Sequence, residues 1–154
     1  MQSPSENLDQ SSTYEAISAM QQFINKYPFS DFATEADKII NELQVKLERK
    51  AFESAKLYHT IRRYKAALVA FENFRKDYPD SKYQDEIAYL GVDAAYQYAL
   101  VSIQAKQKER FERSIELYQE MVDKFPNSKF LPEAEKIYSK TIEELTNFAD
   151  QNNS

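Results

Sequence analysis

Cysteine and tryptophan are absent from this chain, and glycine and histidine occur once each, as Gly91 and His59. Without cysteine there is no disulfide, thiolate metal site, cysteine nucleophile or thioether lipid anchor, while oxidising and reducing compartments both stay open. A lone glycine excludes a Gly-rich phosphate cradle and leaves few sites for tight turns. Three residues before His59 stands Lys56, so neither a Glu-x-x-His nor a His-Glu-x-x-His metal pattern exists. No ally for a Ser/His/Asp or Cys/His arrangement is evident. His59 is therefore expected to be a solvated side chain at a helix end, and no catalytic residue, metal or cofactor is expected. Acidic pairs such as Glu133 with Glu135 and Glu143 with Glu144 read as solvated helix faces. No stretch approaches the roughly 18 apolar residues of a membrane span, and residues 1–12 are polar, unlike a signal segment. Basic excess is missing too: the net charge is −5 and the pI about 5.0. Nucleic acid, which demands a dominant basic face, is a poor partner for such a chain.

What is present is helix-forming. Ala, Leu, Glu, Lys and Gln abound, and with 42% hydrophobic residues the chain has enough to bury a core. An all-α fold is expected. Three stretches end in an aromatic residue and proline: Tyr27-Pro28, Tyr78-Pro79 and Phe125-Pro126. Eleven, eight, five and one positions before each proline the residues are apolar: Ile17, Met20, Phe23 and Tyr27; Leu68, Phe71, Phe74 and Tyr78; Ile115, Tyr118, Met121 and Phe125. That spacing lines one helix face. After each proline comes a second shared pattern, with Ser30, Ser81 and Ser128 two residues on. Proline stops one helix and serine is expected to N-cap the next, Ser81 with Gln84 forming a capping box. Pro132 suits a first helical turn.

Apolar periodicity predicts a long helix near 31–59, striped by Ala36, Ile39 or Ile40, Leu43, Leu47, Ala51, Ala55 and Tyr58. Further helices are expected near 13–27, 64–78, 84–105, 110–125 and 132–149, with a longer loop around 106–110. The prolines stand 51 and 47 residues apart, more than the about 34 residues of a standard tetratricopeptide unit. The excess is assigned to the long helix, which serves two repeats, and to the 84–105 helix with the loop behind it. Small-to-large pairs of the tetratricopeptide pattern are Ala55 with Tyr58, Ala67 with Phe71, Ala95 with Tyr98, Ser114 with Tyr118, and Ala16 with Met20. The expected organisation is a polar segment 1–12 followed by a repeat domain 13–149. That domain comprises the second helix of a truncated repeat (13–28), repeats 31–79 and 81–126, and a C-terminal helix 130–149. The architecture is a right-handed α-solenoid of helix hairpins with elongated shared helices.

Most of the Tyr and Phe residues fall on the repeated apolar positions and are read as core rather than ligand box. Gly91 is read as a close helix contact beside Ala88, Ala94 and Ala95. One charge asymmetry stands out. Between positions 46 and 65, seven cations oppose only Glu48 and Glu53, a local +5 within an acidic chain. Arg49, Lys56, Arg62, Arg63 and Lys65 form the candidate docking patch for an acidic protein surface.

Arg63-Tyr64-Lys65-Ala66-Ala67, then Phe71 and Asp77-Tyr78-Pro79-Asp80-Ser81-Lys82-Tyr83, resemble the repeat core of the BamD-type outer-membrane assembly lipoproteins. Asn7-Leu8-Asp9-Gln10, Tyr14-Glu15-Ala16-Ile17 and Phe23-Ile24-Asn25-Lys26-Tyr27-Pro28 are similar to that family as well. The likeness runs over about residues 4–148. It implies a non-catalytic scaffold at the periplasmic face of the outer membrane, in the complex that folds and inserts β-barrel proteins. The partners implied are the periplasmic domains of the BamA-type barrel subunit, other assembly lipoproteins and unfolded outer-membrane protein segments. Membrane contact would come only through a lipid anchor. The family's signal segment, lipid-bearing cysteine and first repeats are missing from this stretch, so a longer parent protein is expected. A periplasmic adaptor of the Tol-Pal coordinator type, which shares the Tyr-Pro-Asn/Asp-Ser-Lys motif although its repeats are usually more compact, or a generic peptide-binding repeat protein is the alternative.

Overall fold

A computed structural model describes residues 4–152, with side chains from residue 11 onward. Six helices and no strand make up the described residues: α1 (Pro4–Lys26), α2 (Asp31–Thr60), α3 (Tyr64–Asp77), α4 (Gln84–Leu100), α5 (Gln104–Lys124) and α6 (Leu131–Asn152). Of the polar segment expected at 1–12, residues 1–3 lie outside the described residues, and from Pro4 the chain is already helical. Two compact units, residues 1–50 and 51–154, divide within α2.

In the first unit Ile17, Ala33 and Ile40 are buried; of the two isoleucines on the α2 stripe, Ile40 turns inward and Ile39 outward. The expectation that the aromatics are core fails here. Tyr14, Tyr27 and Phe32 are exposed, and Phe29 is 100% exposed. Phe29 directly follows the proline, in the turn itself, where no helix face exists to bury it.

The aromatic-proline turns share one geometry. Tyr27, Tyr78 and Phe125 each donate their N–H four residues back, at 2.9, 2.9 and 2.7 Å, while Ser30, Ser81 and Ser128 donate to those same three residues at 3.2, 3.0 and 3.1 Å. Proline forces the residue before it out of the α region; Tyr78 (φ −130°, ψ 61°) and Phe125 (φ −132°, ψ 58°) adopt nearly identical angles. Ser30 caps α2 as expected, its Oγ accepting from the N–H of Phe32, the second residue of that helix, at 3.0 Å. Ser81 and Ser128 act differently: each Oγ accepts from the backbone N–H two residues on, Tyr83 and Phe130, at 3.0 and 3.1 Å, and closes the turn before α4 and α6 begin. The N-cap of α4 is Tyr83 without a side-chain bond. Gln84 does not complete a capping box, because its Nε2 donates to the Tyr78 carbonyl at 2.6 Å and ties α4 to the end of α3.

In the second unit α4 packs against α3, α5 and α6. Its sequence explains that place. Ile87, Leu90, Val92, Ala94, Ala95, Tyr96 and Ala99 are all buried, so the helix is apolar on nearly every side. One cluster joins Phe52 and Ala55 of α2 to Phe71 and Phe74 of α3 and Ile87 of α4; a second joins Ala95, Tyr96 and Ala99 to Phe111, Leu117 and Ile137. Ser114 is buried between the small residues and donates to the Val92 carbonyl at 3.0 Å. Of these small-to-large pairs, both members are buried only in Ala67 with Phe71; Ala55, Ala95 and Ser114 are buried, whereas Tyr98 and Tyr118 are half-buried and Tyr58 stays exposed.

The loop expected around 106–110 is helix, and α4 ends at Leu100 rather than near 105. Three residues, Val101 to Ile103, make the turn. Gln107 Nε2 donates to the Ala99 carbonyl at 3.1 Å, and Ser102 Oγ to the Tyr98 carbonyl at 2.5 Å, so side chains take up carbonyls that the end of α4 leaves unpaired. The residues expected in the loop lengthen α5 instead, which begins after an extended Ile103 (φ −62°, ψ 148°). Gly91 also departs from expectation. A Cβ built there would meet nothing within 4 Å, so no close helix contact requires the glycine.

Three tyrosines tie this packing to pH. Burial raises the hydroxyl pKa of Tyr89, helped by Asp93 and Glu133; burial raises that of Tyr96, helped by Glu144, Glu143 and Asp93; and burial raises that of Tyr118, helped by Glu135 and Tyr138. A pKa raised in the folded state holds the neutral form. Its stability contribution is complete below the ordinary tyrosine value of 10.0 and is lost as pH rises through the folded values. Absorbance of tyrosinate against pH is expected to show a late-titrating group that ionises together with loss of helical circular dichroism. Full titration near 10 with the helices intact would contradict this.

Candidate docking groove at the end of the long helix

The long helix ends in a motif that normally calls for glycine. Arg62 N–H reaches the His59 carbonyl at 3.1 Å and Arg63 N–H the Tyr58 carbonyl at 2.9 Å, the paired bonds of a Schellman end. Arg62 occupies the left-handed position with φ 62°. For a residue with a side chain this conformation costs about 1–2 kcal/mol. The backbone thereby turns sharply into α3 and leaves Arg62, Arg63 and Lys65 exposed around one concavity.

That concavity is an open groove of about 720 Å³ in the second unit. Tyr58, Tyr64 and Tyr98 line it with the three cations; Val69, Ala70 and Val101 supply apolar surface, and no acidic side chain contributes. Arg110 of α5 lies over the Tyr98 ring at 4.1 Å, and its Nη1 donates to Ser102 Oγ at 2.5 Å, which fixes one wall. Tyrosine presents a flat apolar ring with a polar tip at little entropic cost, and arginine pairs with carboxylates in a fork, so the groove suits an acidic protein surface. A metal is not implied: among the described residues no three His, Asp or Glu side chains gather to hold an ion.

His59 is the residue that sequence reasoning misjudged. Its Nε2 stands 2.6 Å from Asp93 Oδ2, both side chains mostly buried at 22% and 20% exposure. An ionised carboxylate only accepts, so Nε2 carries the hydrogen and donates it. The Tyr64 ring lies edge-on at 6.0 Å and Phe71 at 6.5 Å. His59 thus fastens the turn that carries Arg62 to α4, which carries Tyr98. The partners are 34 residues apart, and no local pattern announces them. His59→Ala and Asp93→Ala are each expected to cost about 1–2 kcal/mol in urea unfolding. The double variant should cost clearly less than their sum; strict additivity would show that the bond contributes nothing.

The other two residues of the expected patch lie elsewhere. Lys56 Nζ is 3.6 Å from Glu86 Oε1 and 5.5 Å from the Phe52 ring, so it ties α2 to α4. Arg49 belongs to the first unit. Arg62, Arg63 and Lys65 remain as the groove's cations, joined by three tyrosines not anticipated as part of it. Arg62 also allows the turn and the charge to be separated. Arg62→Gly relieves the left-handed strain and is expected to raise stability by about 1 kcal/mol, or roughly 2–4 °C in Tm. It should lower affinity for an acidic partner at the same time. A fall in Tm would contradict the strain assigned to Arg62.

Comparison with known proteins agrees with the repeat pattern. The family model described as YfiO, outer membrane lipoprotein, matches residues 2–70 and 58–148. The stretch matched twice, 58–70, contains the turn between α2 and α3 and all three groove cations. Among curated proteins no relative matches. No helix among the described residues is long and apolar enough to cross a membrane. With the family model covering nearly the whole chain, this protein belongs to the YfiO family of BamD-type outer membrane lipoproteins.

Proposed function

We propose that the chain is a non-catalytic adaptor of the machinery that assembles β-barrel outer-membrane proteins, acting at the periplasmic face of the outer membrane. In this reading residues 31–79 and 81–126 are tetratricopeptide-like repeats of a solenoid, and the groove at their junction docks the periplasmic domains of the BamA-type barrel subunit. Other assembly lipoproteins and unfolded barrel segments are further partners. The observation that carries the reading is a groove with three cations, three tyrosines and no acid, on a turn that keeps Arg62 where glycine would cost less. Charge of one sign around an apolar floor steers an oppositely charged partner and fixes its register.

Calorimetric titration of the chain against the purified periplasmic domains of the barrel subunit, at low and high salt, tests it. Saturable binding at micromolar concentrations or tighter, weakening with salt, is expected. Salt-independent binding would move the interface to the apolar surface, and no binding by the folded chain would remove this partner.

A further inference from the structure

Sharing no lining residue with the basic groove, a second and smaller hollow lies between α3, α4 and α5, with a volume of about 130 Å³. Leu68, Ile87, Leu117 and Met121 line it, and Gly91 opens its floor. Glycine within a helix is disfavoured relative to alanine, and here no neighbour forbids a Cβ. What the glycine provides is empty space. An apolar cavity of about 150 Å³ holds a benzene ring, so this hollow is close to the size of one phenyl group.

The rim adds a charge preference. Arg75 Nη1 engages both rim carboxylates, Glu120 at 3.3 Å and Glu72 at 3.9 Å. The remaining charged rim residues, Arg113 and Lys124, are both cations on α5, with Arg113 held by Glu116 outside the hollow at 2.9 Å. We propose that the Gly91 hollow is a second anchor site, taking one aromatic side chain of a partner protein segment that carries a carboxylate beside the ring, with Lys124 meeting that carboxylate. The ring fills the glycine's space and lies on Met121, a polarizable contact for aromatic groups. This site is separate from the basic groove and stands whether or not the groove binds the barrel subunit.

The probe is 3-phenylpropionate, titrated into the intact chain and followed by NMR on the methyl groups of Leu68, Ile87, Leu117 and Met121. Saturable shifts confined to these methyls are expected, with Kd of roughly 1–10 mM for so small a ligand. Acetate should produce no saturable shift there. Gly91→Leu, which has room for its Cβ, should remain folded by circular dichroism and weaken the probe at least tenfold. Lys124→Glu should weaken it several-fold, and Arg62→Gly should leave it unchanged. Absence of saturable shifts, equal response to acetate, or unaltered binding by a folded Gly91→Leu chain would each overturn the proposal.

Discussion

Replacing Arg62 and Arg63 together by Glu is expected to weaken binding of an acidic partner by roughly ten- to hundredfold at low salt while leaving the chain folded. Two mechanisms add. Two attractive contacts disappear, and two like charges now face the partner's carboxylates. Both residues are exposed on the turn, so the fold loses no core contact. The backbone bonds that close the turn run from their N–H groups, which the change to Glu leaves in place. Most of the loss should lie in the association rate, because rim charges act mainly by steering, and it should shrink as salt is raised. Stopped-flow association at several ionic strengths reads this directly. An unchanged rate in a folded double variant would remove the groove from the interface.

The largest loss of stability is expected from Phe111→Ala. Phe111 is 1% exposed, among the largest fully buried side chains, and its ring lies 5.9 Å from that of Tyr96 in the cluster joining α4, α5 and α6. Removing a buried phenyl forfeits its transfer free energy and leaves a cavity, together about 3–5 kcal/mol. Against a typical total of about 5–15 kcal/mol this is a large fraction. Urea unfolding followed by circular dichroism should show a lower midpoint with an unchanged slope. A loss below about 1 kcal/mol would mean that α5 is not held through this residue. Phe29, completely exposed in its turn, should by contrast tolerate alanine with almost no effect.

Neighbouring residues show how far the sequence could be read. The aromatic-proline turns were legible because their cause is local: proline acts on the residue before it and serine on the one two places ahead, and this recurs at Pro28, Pro79 and Pro126. What the serine bonds was less legible, since an N-cap and a turn closure use the same residue type. The α4–α5 boundary was misplaced because Val101, Ser102 and Ile103 contain no stop signal, and the bond that ends α4 comes from Gln107 on the following helix. His59 and Asp93, on different helices, meet only through packing.

Composition and spacing by themselves determined the all-helical class, the helix-stopping turns and the +5 segment, because each depends on residues within a turn or two of one another. The tertiary structure decided which of those cations act together. Lys56 was drawn to Glu86, while Arg62, Arg63 and Lys65 were left around three tyrosines. It also decided what two local anomalies mean. The left-handed turn that favours glycine holds Arg62, and the helix interior that disfavours glycine holds Gly91. The sequence marks Gly91 as the one glycine without showing its purpose, and nothing in it marks Arg62. Backbone angle at Arg62 and empty space at Gly91 come from how α2, α3, α4 and α5 end and pack, and those arise only when distant parts of the chain meet.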